Sequence, residues 1–360
     1  MSWAGGGPVL GWGEGRRSAL ARGQRVAFGV AEGAQRGCVG ARRHSCPTGA
    51  VVSGRSTGAR CEECARLDRA HSVAADTVAD DPRPYHVYLA WFGPGMVKVG
   101  ITAVERGPAR LLEQGAVCFS WLGAGPLMAA RRTEELLRAA LGVPDRIPYA
   151  AKRAVRSALP TTPDERAAEI AALHPRAVAL DGWPDALTRE PFQPVDHFTA
   201  FGLGPDFGHV RAPGSGPLTA SDPGSGSGRA SAPGSGPVTA SGSGRLTASA
   251  PADSSAPGKA VLGAATERTS GAPALAPVAG PTPPTAALLE VTELVPGAGV
   301  DGELVAAAGP DLHLRTERGT VVLDTRLMTG WPLVPVAGSG RPAFPARRIK
   351  ERAGVQDQLF

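Results

Sequence analysis

Lysine is scarce in this chain of 360 residues. Only Lys98, Lys152, Lys259 and Lys350 occur, and arginine carries the remaining positive charge. A GC-rich coding sequence accounts for that usage without any functional cause. Aromatic residues make up 5%, which argues against a protein that binds single strands by stacking bases on many rings. No apolar run approaches the ~20 residues that span a bilayer, so no membrane-spanning helix is expected. The opening residues, MSWAGGGPVLGWGEG, lack a basic start followed by an apolar stretch. No secretory signal is expected there, and the cytoplasm is the expected location. Five cysteines in such a compartment point to metal ligation rather than disulfides. The net charge of +5 permits contact with nucleic acid but does not by itself argue for it.

Glycine and proline, by contrast, are abundant, with 48 and 34 residues. They concentrate between Gly204 and Pro284. There APGSGPLTAS, DPGSGSGRAS and APGSGPVTAS follow one another with a ten-residue period. Such repeats offer no recurring apolar position to bury, so residues 204–285 are expected to be a disordered insertion. The rest divides into N-terminal strands (1–37), a cysteine-rich segment (38–84), a core (85–150), a helical or loop extension (151–203), C-terminal strands (286–340) and a flexible tail (341–360). LLEVTELV, GELVAAAG, DLHLRTERG and TVVLDTRLM read as a run of strands. A meander of this kind needs a partner, and the N-terminal segments PVLGW and QRVAFGV are the natural one. The expected fold class is α+β.

The cysteines are spaced Cys38-x7-Cys46-x14-Cys61-x2-Cys64. A CxxC pair lets two sulfurs reach one tetrahedral ion from a single turn, so these four residues are expected to hold zinc, with His44 as an alternative ligand. Four protein ligands leave no open position, so such a zinc would be structural. It would hold a segment too small for its own core. Cys118 lies in a predicted strand and is expected to be a small buried residue.

The most regular stretch is HVYLAWFGPGMVKVGIT, His86 to Thr102. It reads as two strands around a Gly-Pro-Gly turn. A helix follows from Pro108, where a first turn tolerates proline, and stops at Gly115. VCFSWLG is a third strand, and MAARRTEELLRAALG an amphipathic helix, giving the order β-β-α-β-α. On that last helix Leu127, Ala130, Glu134, Leu137 and Leu141 share one face. Glu134 therefore points toward the sheet and Glu135 away from it. An ionised side chain on an inward face is costly unless paired or bound to metal.

This arrangement resembles the GIY-YIG nuclease superfamily over about Tyr85 to Ala150. It more closely resembles an uncharacterised bacterial family, domain of unknown function 2797, with the core VYLA-FGPG-VKVGIT-R-RL-EQGA. The nuclease resemblance implies that Tyr88, in Val87–Leu89, is the first functional tyrosine. Val99–Ile101 stands where Y-I-G would be, so the second tyrosine is absent and Lys98-Val99-Gly100 takes its place. The resemblance also assigns the family's arginine to Arg110, with Arg106 as the alternative, and a magnesium- or manganese-binding carboxylate to Glu134. Tyr88, Lys98, Arg110 and Glu134 are thus the implied catalytic set. Each suits phosphodiester hydrolysis. Arginine meets phosphate oxygens with two donors, a tyrosine hydroxyl orients or deprotonates water, and a glutamate ligates a hard cation.

A basic stretch follows, with Arg131, Arg132, Arg138, Arg146, Lys152 and Arg153 in a short span. It is the expected phosphate-contacting face. The chain ends GVQDQLF. Gln356, Leu359 and Phe360 match three of five positions of the pentapeptide that docks bacterial DNA sliding clamps, while Asp357 and Gln358 depart from it. A metal-dependent nuclease is the expected function. The alternatives are a non-catalytic nucleic-acid-binding protein on the same fold and a protein-interaction scaffold.

Overall fold

The computed structural model describes residues 1–12, 15–70, 81–204, 207, 288–336 and 341–350. Apart from Gly204 and Phe207, the repeat region lies outside the described residues, as does the terminal peptide with Gln356, Leu359 and Phe360. No helix among the described residues is long and apolar enough to cross a membrane.

The run Pro84–Trp91 forms strand β5, and every residue from Val87 to Phe92 is buried. A strand with no polar alternation must be covered on both faces, and β5 is the centre of its sheet. It pairs antiparallel with β6 (Val97–Ala103) on one side and β7 (Cys118–Pro126) on the other. Helix α2 (Ala109–Gln114) joins β6 to β7, starting after Pro108 and stopping at Gly115 in the left-handed conformation. Helix α3 (Leu127–Leu141) follows β7 directly. The order β5, β6, α2, β7, α3 is therefore β-β-α-β-α.

Helix α5 (Pro163–Val178) starts at a capping box between Thr162 and Glu165. Its Glu169 accepts bonds from Trp91 Nε1 and from the Gly95 amide, both 3.0 Å, and so holds the Gly-Pro-Gly turn. The WPDALTREPFQPVDHF segment adds two short strands, β8 (Thr188–Arg189) and β9 (Val195–Asp196), to β7.

A seven-stranded sheet is ordered β14-β4-β11-β12-β13-β10-β15. It comprises β4 (Arg25–Val30), β10 (Leu289–Val291), β11 (Gly299–Ala308), β12 (Asp311–Thr316), β13 (Gly319–Asp324), β14 (Leu333–Pro335) and β15 (Ala346–Arg348). Strand β4 lies between β11 and β14, so the two ends of the chain share one sheet. PVLGW contributes to a separate three-stranded sheet of β1 (Ser2–Ala4), β2 (Gly7–Gly11) and β3 (Arg17–Ala19). The strand expected at residues 320–328 ends at Asp324. Its side chain accepts from the Arg326 amide and turns the following residues into a short 3-10 helix. The cysteine segment carries helix α1 (Glu62–Arg69). The buried Arg36 fastens that segment to the sheet, donating to the carbonyls of Ser53, Ser56, Arg326 and Thr329 at 2.6–3.1 Å.

Candidate active site and metal centre

Alternation along β6 sends Lys98 and Gly100 to one face and Val99 to the other. Gly100 pairs in register with Tyr88 of β5. A β-carbon on Gly100 would lie 2.4 Å from Tyr88 Oη and 2.5 Å from Cζ. The tyrosine ring therefore rests against the glycine backbone, and any side chain at position 100 would displace it. The ring is packed edge-on by Trp121. From α2, Gln114 Nε2 donates to Tyr88 Oη at 3.0 Å. Burial pushes the Tyr88 hydroxyl up to about 12, with Gln114 and Arg110 opposing, so it keeps its proton at neutral pH.

Lys98 is also buried. Its Nζ donates to the Asp145 carbonyl at 3.2 Å and lies 5.6 Å from the centre of the Tyr88 ring. Burial brings Lys98 down to about 8; Arg110 pulls the same way, and Glu134 opposes. Arg110 is exposed on α2, 3.7 Å from Glu113, and Arg106 also pairs with Glu113, at 2.6 Å. Glu134 is half-buried on α3. Glu135 is exposed and accepts from Arg138 at 2.6 Å.

Tyr88, Lys98, Arg110 and Glu134 line one cleft of about 610 Å³. Gln114, Asp145, Arg83, Arg131 and Arg146 line it too. The cleft continues past Lys98, Arg110 and Asp145 into a second hollow walled by Tyr149, Lys152 and Arg326. Cations outnumber carboxylates along this groove, which therefore suits an extended anion. Gln114 was legible in the EQGA motif, but nothing in that motif says that it reaches Tyr88. Asp145 follows a proline in a loop, with no pattern to single it out.

The basic stretch divides in three. Arg131 and Arg146 line the cleft. Arg132 is exposed on α3 outside the cleft lining, and Arg138 pairs with Glu135. Lys152 and Arg153 do not form an exposed basic face, although Lys152 walls the second hollow. They lie on α4 (Tyr149–Val155) and are buried. Lys152 Nζ donates to the Gln114 carbonyl at 2.9 Å and lies 3.9 Å from the centre of the Phe92 ring. Burial brings it down to about 6. Arg153 bonds Glu290, Asp311 and Asp324. These acids lie 137 to 171 residues further along the chain, so the local sequence reads as an unbalanced basic run.

The second constellation is the cysteine cluster. The sulfurs of Cys38, Cys46, Cys61 and Cys64 all lie within 4.8 Å of one another. The Gly40 and Cys61 amides donate to Cys38 Sγ at 3.4 and 3.2 Å, and Thr48 Oγ1 lies 3.4 Å from Cys46 Sγ. Burial and the neighbouring sulfurs push Cys64 up to about 12. Gathered thiols need a cation to become thiolates together, and this group can hold a metal ion. His44 is exposed and is not part of the group. Cys118 is buried in β7, apart from the cluster.

Residues 23–204 match the model of the family described as Protein of unknown function (DUF2797). The match covers half of the chain, and the chain belongs to that family. No match was found among curated proteins or among solved structures.

Proposed function

We propose that this member of the DUF2797 family is a divalent-metal-dependent phosphodiesterase acting on nucleic acid, with a GIY-YIG-like core and a structural zinc. The observation that carries the reading is the convergence of Tyr88, Lys98, Arg110 and Glu134 on one cleft from β5, β6, α2 and α3. The β-β-α-β-α order of these elements agrees with the expected core. Val99 is fully buried on the far face of β6. Lys98 is therefore the residue that stands beside Tyr88 where the resemblance would have a second tyrosine.

Phosphodiester hydrolysis needs an attacking water, a group to take its proton, and cations to meet the charge that develops on the phosphate. Arg110 presents its planar fork to phosphate oxygens, and Arg131 and Arg146 add charge at the rim. Tyr88, protonated at neutral pH, orients the water. Lys98, near 8, loses its proton within the working range and accepts one from the water. Glu134 would hold magnesium or manganese, which when bound supplies positive charge beside the reacting phosphate.

Zinc suits the cysteine group. Tetrahedral Zn–S bonds of about 2.3 Å separate the sulfurs by about 3.8 Å, against 4.0 Å between Cys46 and Cys61. Cys38, Cys46, Cys61 and Cys64 would hold such an ion with four sulfurs, so it would brace the segment and leave no open position for water.

The test is incubation with plasmid, branched DNA and RNA in magnesium or manganese. Glu134→Ala should nick on the order of a hundredfold more slowly than the parent. Equal nicking by the two proteins would point to a contaminant and sink the reading. The pH profile is a separate check. The parent's rate should climb with pH and level off above about 8, because the base acts only after losing its proton. Lys98→Met should abolish that climb. A parent that binds but never nicks favours the second reading, a non-catalytic nucleic-acid-binding protein. The buried, neutral Tyr88 and the absent second tyrosine speak for that reading.

A further inference from the structure

We propose that Lys152 is an amine nucleophile for a phosphate-bearing aldehyde, the ring-opened sugar of an abasic site in nucleic acid. This would be a second reaction beside hydrolysis, and it rests on the reading that the groove takes nucleic acid.

Lys152 walls the second hollow, of about 750 Å³, together with Tyr149, Arg110, Arg146 and Arg326. A three-residue step along α4 puts Tyr149 and Lys152 on one face, and Nζ lies 4.4 Å from the centre of the Tyr149 ring. Arg326 also covers that ring, at 4.2 Å. The Gln114 carbonyl and the Phe92 ring fix the amine from the other side. The nucleophile is therefore held in place before any substrate arrives. Arg110 and Arg146 stand 3.7 and 3.8 Å from Glu113 and Asp145, which is longer than a hydrogen bond. Their forks remain able to meet phosphate oxygens beside the amine.

A lysine that only capped the Gln114 carbonyl, at the end of α2, would serve best with its charge. The surroundings of Lys152 work against that charge. Burial is the main cause, Lys98, Arg156 and Arg326 add to it, and Asp311 opposes. The amine is thus neutral above about pH 6, with a lone pair to give. Burial beside other cations is the environment that activates lysine toward a carbonyl carbon.

The step balances without metal or redox agent. Nζ attacks the C1′ carbonyl carbon of the open sugar and a C–N bond forms. The carbonyl oxygen leaves as water with both amine hydrogens, and an imine remains. Water takes a proton from C2′, the C3′–O bond breaks, and phosphate leaves with the bonding pair. Hydrolysis of the imine then frees Lys152.

The test uses the full chain with a labelled abasic oligonucleotide and cyanoborohydride, without magnesium or manganese. A reduced cross-link should form, and mass spectrometry of the parent should place it on Lys152. Lys152→Met should lower the yield at least tenfold. The yield should climb through about pH 6, whereas an exposed lysine would respond near 10. A cross-link on Lys98 or on a surface lysine, or none at all, would overturn the proposal. So would trapping of glyceraldehyde 3-phosphate without trapping of the abasic strand. An intact oligonucleotide in magnesium reports separately on hydrolysis. Nicking there without a Lys152 cross-link overturns this proposal alone, and a Lys152 cross-link without nicking upholds it while hydrolysis fails.

Discussion

Arg153→Ala should destabilise the fold by about 3–5 kcal/mol, the usual result of removing one partner from a buried ion pair. The guanidinium is held against Glu290 of β10, Asp311 of β12 and Asp324 of β13 at 2.5–2.9 Å. Asp311 is fully buried. Arg326 also reaches Asp324, and Arg347 reaches Glu290, so those two acids keep a cation in the variant. Asp311 keeps no hydrogen-bonded cation among the described residues, only the nearby charge of the buried Arg156. Burial already raises Asp311, with Arg153 opposing that shift. Without Arg153 the carboxyl must either stay charged in a dry site or take up a proton, and both cost free energy. Urea unfolding at neutral pH measures the loss. A change below about 1 kcal/mol, typical of an exposed pair, would mean that the cluster is wetter than its burial indicates. The same bonds tie α4, and with it the wall of the groove, to the seven-stranded sheet. Arg153→Ala should therefore also weaken whatever the groove binds.

Losing the metal should have an effect at least as large on the cysteine segment. Ala41, Ala59 and Cys64 are its only buried apolar side chains between Cys38 and Arg69. Three small side chains bury too little surface to offset the ordering of so many residues. Structural zinc supplies about 10–16 kcal/mol to small zinc-dependent folds, and that energy is folding energy. The purified parent should contain about one equivalent of zinc and Cys61→Ser below about 0.2, since three remaining thiols leave the tetrahedron open. Chelation of the parent, like Cys61→Ser, should expose the segment between Cys38 and Cys61 to protease while the β5–β6–β7 sheet stays protected. A parent without metal, or a Cys61→Ser protein with a full complement, would overturn the assignment. Arg36, which bonds four backbone carbonyls, should keep the segment's N-terminal end attached after the metal is gone.

Much of the candidate site was legible in the sequence because its cues are local. Alternation around Gly-Pro-Gly marks the β5–β6 hairpin, and Pro108 and Gly115 bracket α2. The three- and four-residue spacing of apolar positions on α3 separates Glu134 from Glu135. The CxxC pair marks half of the cysteine group. Local reading failed where partners are remote. Lys152 and Arg153 look like a phosphate-binding run until Asp311 and Asp324 are brought beside Arg153. Helix α4 has no capping residue and no apolar stripe of its own, and its docking depends on those distant acids. His44 sits between two cysteines of the group in sequence, but the turn at Arg42 and Arg43 leaves its side chain in solvent.

By itself, then, the sequence determined the hairpin, the helix that follows it, the inward carboxylate of α3 and the grouping of the cysteines. Each is encoded by periodicity, turn chemistry or spacing within a few residues. Only the tertiary structure decided that β4 lies between β11 and β14, that Gln114 reaches Tyr88, that Lys98 rather than Val99 faces the cleft beside it, and which basic side chains are buried against remote acids. Those outcomes depend on which distant backbones pair and which distant charges are buried together. Packing sets both, because a buried charge is stable only where its partner arrives with it.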